Sequence, residues 1–178
     1  MGEIRPFDSE KLIFGILFCE EQQLVEVKAL LEAEFGVIDG ETRVFNFAYT
    51  DYYNPEMGDV IKRCFVSFEN LVQPEHLAGI KIRSNELEEN FLAGSSRMVN
   101  LDPGLLNLSR LILASTKNNA HRIPLSEGIY AEITLLYRKG GFISLPWTYP
   151  DFRSGDYDSS LLAFREKFSF QLKQLKQQ

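Results

Sequence analysis

An α+β fold, a largely antiparallel β-sheet with helices packed on one face, is what this sequence predicts. Strand-like apolar runs outnumber helical patterns along its 178 residues. Two Gly-containing turns, Ser126-Glu127-Gly128 and Lys139-Gly140-Gly141, separate alternating stretches in the second half and mark antiparallel hairpins. The opening order of strand, helix, two strands and helix also fits a ferredoxin-like first half, extended by a C-terminal β-meander and a final helix. No linker or repeat divides the chain, so a single domain over residues 1–178 is expected, of a size that buries about 70% of its unfolded surface.

Residues 11–18 read as a buried strand interrupted only by Gly15. Residues 20–35 read as an amphipathic helix, with Leu24, Val27, Leu31 and Phe35 on one face, Glu20 and Glu21 at its positive end and Gly36 as its stop. Alternation predicts strands over 42–48 and 60–68. Residues 73–93 read as a short helix at 74–78, a strand at 80–83 and a second helix opened by Asn85 with Glu88 completing a capping box; a single helix from Pro74 is the alternative. A strand at 98–101 leads to Asp102-Pro103, read as the N-cap and first residue of a helical turn reaching Leu108. A further strand covers 110–115.

In the first hairpin one register places Leu125 opposite Ile129, Ile123 opposite Ala131 and Arg122 opposite Glu132. It gathers Ile123, Leu125, Ile129, Ala131, Ile133 and Leu135 on one face, and Arg122, Tyr130, Glu132 and Thr134 on the other. The second hairpin returns through 142–147 with Ile143, Leu145 and Trp147 on the apolar side. A last amphipathic helix, starting near Asp158, uses Leu161, Phe164 and Phe168.

The chain carries 19 basic and 25 acidic side chains, net −6. This argues against a nucleic-acid partner, because displacing counterions from a phosphate backbone needs a basic face. The charge is uneven: residues 1–96 hold 8 basic and 18 acidic side chains, whereas residues 97–139 hold 6 basic and 3 acidic. That second stretch suits a ligand with one anionic group. No apolar run approaches the roughly 20 residues of a membrane-spanning helix, so no membrane partner is expected. Met1-Gly2-Glu3-Ile4-Arg5-Pro6 has neither a secretory nor a myristoylation pattern. Cys19 and Cys64 lie in apolar runs and read as reduced thiols, which points to a cytoplasmic protein. No metal site is read, since Cys-x-x-Cys and His-x-x-x-His spacings are missing. The oligomeric state and any cofactor are not encoded in a recognisable motif.

Three polar constellations stand out. The loop from Tyr49 to Gly58 concentrates tyrosines and carboxylates; Tyr52 and Tyr53 offer rigid stacking faces, and Asp51 or Glu56 an acceptor for an amine or hydroxyl, unless the loop is simply packed. In the second, alternation sends Asn100 and Asp102 to one face near Arg97, where a helix N-terminus after Asp102 would receive an anion or serve as a plain cap. The third joins Lys117, His121 and Arg122 with Glu132, and Tyr149 and Asp151 end the meander beside them. His121 reads as a general base or as a satisfied, half-buried side chain, and Arg122–Glu132 as a cross-strand ion pair. There is no phosphate loop, dinucleotide fingerprint or nucleophile elbow.

Together these segments resemble an uncharacterised family of prokaryotic proteins of about this length, catalogued as a domain of unknown function. The resemblance runs through Leu12-Ile13-Phe14-Gly15-Ile16-Leu17, Thr50-Asp51-Tyr52-Tyr53 with Glu56-Met57-Gly58, and Asn100-Leu101-Asp102-Pro103-Gly104. It continues in Leu113-Ala114-Ser115-Thr116-Lys117, His121-Arg122, Gly128-Ile129-Tyr130-Ala131-Glu132 and Trp147-Thr148-Tyr149-Pro150-Asp151. It implies no established activity, although members often carry a "GTP-binding" label. The sequence gives that label little support: Thr116-Lys117-Asn118-Asn119 lacks the carboxylate of a guanine-reading Thr-Lys-x-Asp. The chain departs from the family at Leu105 and Pro124, where an aromatic is usual.

The leading expectation is a pocket for a small, phosphorylated or nucleotide-like ligand on the polar face of the sheet. Arg97, Asn100, Asp102, Lys117, Arg122 and Glu132 would form it beneath Tyr52, Tyr53 and Glu56. A second reading is a small enzyme using His121, Asp102 or Glu132 as acid and base. A third is a subunit-interaction module built on the aromatic loop and Trp147.

Overall fold

The structure, a computed structural model, describes residues 2–175 and 177; Met1 of the N-terminal hexapeptide and Lys176 and Gln178 of the polar tail lie outside it. Strand β1 (Glu10–Phe18) is buried along its whole length, which is why its apolar run shows no polar alternation. Helix α1 (Glu21–Phe35) follows, with a capping box between Glu20 and Gln23 and a stop at Gly36. The chain then forms β2 (Ile38–Glu41), the two-residue β3 (Phe45–Asn46), the single turn α2 (Asn54–Met57) and the long β4 (Lys62–Val72). After a 3₁₀ turn comes α3 (Leu77–Glu88), then the small ribbon of β5 (Leu92–Ala93) and β6 (Ser96–Arg97).

The second half begins with β7 (Val99–Leu106) and β8 (Arg110–Ser115). It continues through β9 (Ile123–Pro124), β10 (Tyr130–Arg138) and β11 (Gly141–Ser144). The turn α4 (Pro150–Arg153) and the helix α5 (Asp158–Leu175) close it.

Among the described residues nine strands form one antiparallel sheet in the order β11-β10-β8-β7-β1-β4-β2, with β3 on β4 and β9 on β10. The segment β7-β1-β4-β2, with α1 and α3 as its crossovers, has the ferredoxin-like order read from the sequence. The strands β8, β10 and β11 extend it as a meander. The α+β class with a large antiparallel sheet is therefore observed.

Helices occupy both faces, however. Leu24, Val27 and Leu31 of α1 and Ile80 and Leu87 of α3 pack on Leu12, Phe14, Ile16 and Phe18. On the other face Phe152, Tyr157, Leu161 and Phe164 cover Ile13, Phe65, Leu111 and Leu135. The predicted α5 face is the observed one: Leu161, Phe164 and Phe168 are its buried residues.

Four local expectations are corrected. Residues 77–88 form one helix, not two helices around a strand, because Ile80, Ser84 and Leu87 share a buried helical face. The segment after Asp102 is strand: β7 runs straight through Asp102-Pro103, so no helix N-terminus exists there. The strand expected over 42–48 shrinks to β3, and β2 takes the pairing with β4. The main partner of β10 is β8, and β9 keeps the predicted register (Ile123 opposite Ala131) for only two residues.

A bulge between Ile133 and Leu135 then turns Leu135 to the face of Glu132. Ile129 and Ala131 pack on Leu77 and Ala78. Ile123, Leu125, Ile143 and Trp147 lie farther out and are exposed, contrary to the apolar face expected for them.

Candidate functional site

The sheet forks between β7 and β8. Their ladder covers only Gly104–Leu106, whereas β7 begins at Val99. Along the open stretch helix α3 replaces the missing strand: Leu101 N–H donates to Glu88 Oε1 at 2.7 Å, and Lys81 Nζ donates to Leu101 C=O at 2.7 Å. Pro103 follows on the same edge two residues later, where its missing N–H interrupts no ladder. Glu88 is buried, and burial pushes its carboxyl above the usual range against the opposing pull of Lys81, the Leu101 N–H and Arg97.

In this fork lies a cavity of about 620 Å³, within the size range of small-molecule sites. Its walls carry Arg63, Lys81, Arg97, Lys117 and Arg122 against Asp102, Glu132 and Asp151, with Tyr49, Tyr52, Tyr53 and Tyr149.

Arg63 anchors the floor. It comes from β4 and is 4% exposed, and it donates from Nη1 to Asp151 Oδ2 at 2.5 Å and from Nη2 to Asp102 Oδ2 at 2.7 Å. Burial works against its charge, but Asp151 and Asp102 hold the guanidinium above its ordinary value. It reaches β7 by passing over Gly15, where an added Cβ would stand 3.0 Å from Nη2. Gly15 pairs with Asp102, so the gap in the apolar run is the channel for this ion pair.

Arg122 organises the opposite wall. Its Nε donates to Glu132 Oε2 at 2.7 Å, Nη1 to Ser115 Oγ and Lys117 C=O at 2.8 Å each, and Nη2 to the Tyr149 hydroxyl at 2.5 Å. Burial, reinforced by Glu132, pushes the Tyr149 phenol up to about 12. The loop bearing the remaining tyrosines is anchored by Phe47, Met57 and Ile61 packed with Leu17. Lys117 Nζ lies 3.7 Å from the Tyr52 ring centre, joining that loop to the segment after β8. Tyr49 donates to Asp156, and Arg97 Nε donates to Glu56 at 3.2 Å.

Of the residues singled out from sequence, Tyr52, Tyr53, Arg97, Asn100, Asp102, Lys117, Arg122, Glu132, Tyr149 and Asp151 all line this cavity. Asp51, Glu56 and His121 do not. His121 stands behind the wall, stacked on Trp147 at 5.3 Å with Nε2 3.1 Å from Glu132 Oε2. Glu56 is held outside by Arg97. Asp51 is exposed.

Arg63, Lys81 and Asn85 also line the cavity and were not foreseen. Arg63 sits beside Lys62 in β4, so its charge alone does not distinguish it in the sequence; Lys81 and Asn85 belong to α3, which the sequence reads as a strand and a second helix. Leu105 is core and Pro124 is an exposed strand residue; neither lines the cavity.

A ferredoxin-like half-sheet, extended by a meander and opened by a fork with a polar cleft, defines an antiparallel α+β protein. The chain belongs to the family described as Domain of unknown function (DUF4416), which it matches over residues 8–168. No curated protein and no solved structure matches it. Among the described residues no helix is long and apolar enough to cross a membrane, and no three His, Cys, Asp or Glu side chains cluster to hold a metal ion.

Proposed function

We propose that the cleft binds a small molecule bearing an anionic group, of the phosphorylated or nucleotide-like kind, with the tyrosine loop as its cover. The observation that carries this reading is the wall composition: five cationic side chains meet three acidic ones in a chain whose net charge is −6. A cavity that concentrates positive charge against the sign of the whole molecule attracts anions locally while the outer surface repels extended polyanions. Tyrosine rings supply stacking faces at small entropic cost. The same reading places the chain in the cytoplasm, supported by the free thiols of Cys19 and Cys64.

The experiment is mass spectrometry of small molecules released from the natively purified protein, followed by thermal-shift titration with each compound found. A phosphate- or carboxylate-bearing compound that raises the melting temperature in wild type, and not in Lys117→Glu, is the expected result. Only neutral or cationic compounds, or none that shifts melting, would overturn the reading.

A further inference from the structure

Most of the charge in the cleft is already committed. Arg122 spends its donors on Glu132, Ser115, Lys117 C=O and Tyr149, and Arg97 bridges Glu56 and Glu88. These guanidiniums hold the walls together, so they do not define what the cleft accepts. Four groups remain. Lys81 Nζ has one partner, the Leu101 carbonyl. Lys117 Nζ has the Tyr52 ring and, among the described residues, no carboxylate. Asn100 is 4% exposed and its Nδ2 has no partner. Glu132 is 2% exposed; Oε2 accepts from Arg122, and Oε1 has no partner. A buried donor or acceptor left unmatched is costly, and such an atom in a cavity wall offers a bonding position to a ligand.

We infer that the ligand has two unlike ends: an oxyanion facing Asn100 and the ammonium groups of Lys81 and Lys117, and an amino or similar hydrogen-bond donor facing Glu132 Oε1. The inference rests on the anion reading above and narrows it. Three free donors suit an oxyanion with several acceptor oxygens, and a lone carboxylate oxygen suits a charged or neutral N–H. A simple anion satisfies the first set and leaves Glu132 unmatched.

Calorimetric titration with two matched series tests this: ω-aminoalkyl phosphates and n-alkyl phosphates of equal chain lengths. At one or more lengths the amino compound is expected to bind at least tenfold tighter than the alkyl compound to the wild-type protein, and in Glu132→Gln the ratio of the two affinities is expected to fall to about one. Equal binding of the two series at every length overturns the two-ended ligand and leaves the anion reading standing. A margin that survives Glu132→Gln also overturns it. Binding of neither series overturns both. The wild-type comparison needs no variant, so it decides the question even if Glu132→Gln does not fold.

Discussion

Arg63 keeps a full charge inside the sheet because two carboxylates meet it and one glycine lets it pass. Removing it strands Asp102 and Asp151 around an emptied site. Arg63→Met is therefore expected to destabilise the fold by about 3–5 kcal/mol, read as a lower denaturant midpoint. Arg63→Met combined with Asp102→Asn and Asp151→Asn should recover part of that loss, since no unpaired charge is left. Gly15→Ala tests the channel itself: its Cβ would press on both Arg63 and Phe65 at 3.0 Å, and a cost of about 1–3 kcal/mol is expected.

The phenols of half-buried Tyr53 and buried Tyr157 belong to the same scale. Burial raises both above the ordinary tyrosine range. A phenol that holds its proton more tightly when folded leaves stability unchanged below the unfolded value of about 10 and lowers it as pH rises beyond. Ultraviolet titration should show these two tyrosines ionising late, with the denaturant midpoint falling above about pH 10.

At the scale of elements, the fork depends on α3 doing the work of a strand. Lys81 and Glu88 stand on one face of the helix, seven residues apart, and satisfy the carbonyl and amide of Leu101. Glu88→Ala should expose that amide, and faster hydrogen exchange at Leu101 than in wild type is the expected outcome. Lys81→Met leaves a buried carbonyl without a donor, at a cost of about 1–3 kcal/mol.

The same element explains the largest misreading of the sequence. Ile80-Lys81-Ile82-Arg83 alternates like a strand, yet Lys81 is 6% exposed. A lysine buried to cap an edge looks, in one dimension, like a solvent-facing residue. Asp102-Pro103 misleads similarly: it matches a helix start, but the edge it lies on is unpaired, and there proline is tolerated in a strand.

Among the described residues the two largest apolar clusters lie on either side of the nine-stranded sheet. The C-terminal helix seals the second; Phe164 is 2% exposed and packs so closely over Gly40 that an added Cβ there would stand 2.8 Å from its ring. Phe164→Ala is expected to cost about 3–5 kcal/mol in chemical denaturation. Because the cleft shares Leu113 and Phe152 with this core, the variant should also weaken any ligand-dependent rise in melting temperature. A loss of stability with the ligand response intact would show that the cleft is held by the ion pairs alone.

Local chemistry made much of this legible in the sequence. Period and capping located β1, α1, β8 and α5, and the turn residues located both hairpins, because those signals act over a few neighbouring residues. The hairpin register brought Arg122 to Glu132, and the clustering of polar residues at strand ends named ten of the residues that line the cleft. Only the tertiary structure decided that helices cover both faces, that the sheet parts beside Leu101, and that Arg63 crosses beneath to join Asp102 and Asp151. Those outcomes are set by which strands become neighbours and by which backbone groups are left without one. Such pairings link residues tens of positions apart, as Arg63 does with Asp151, and no periodicity along the chain records them.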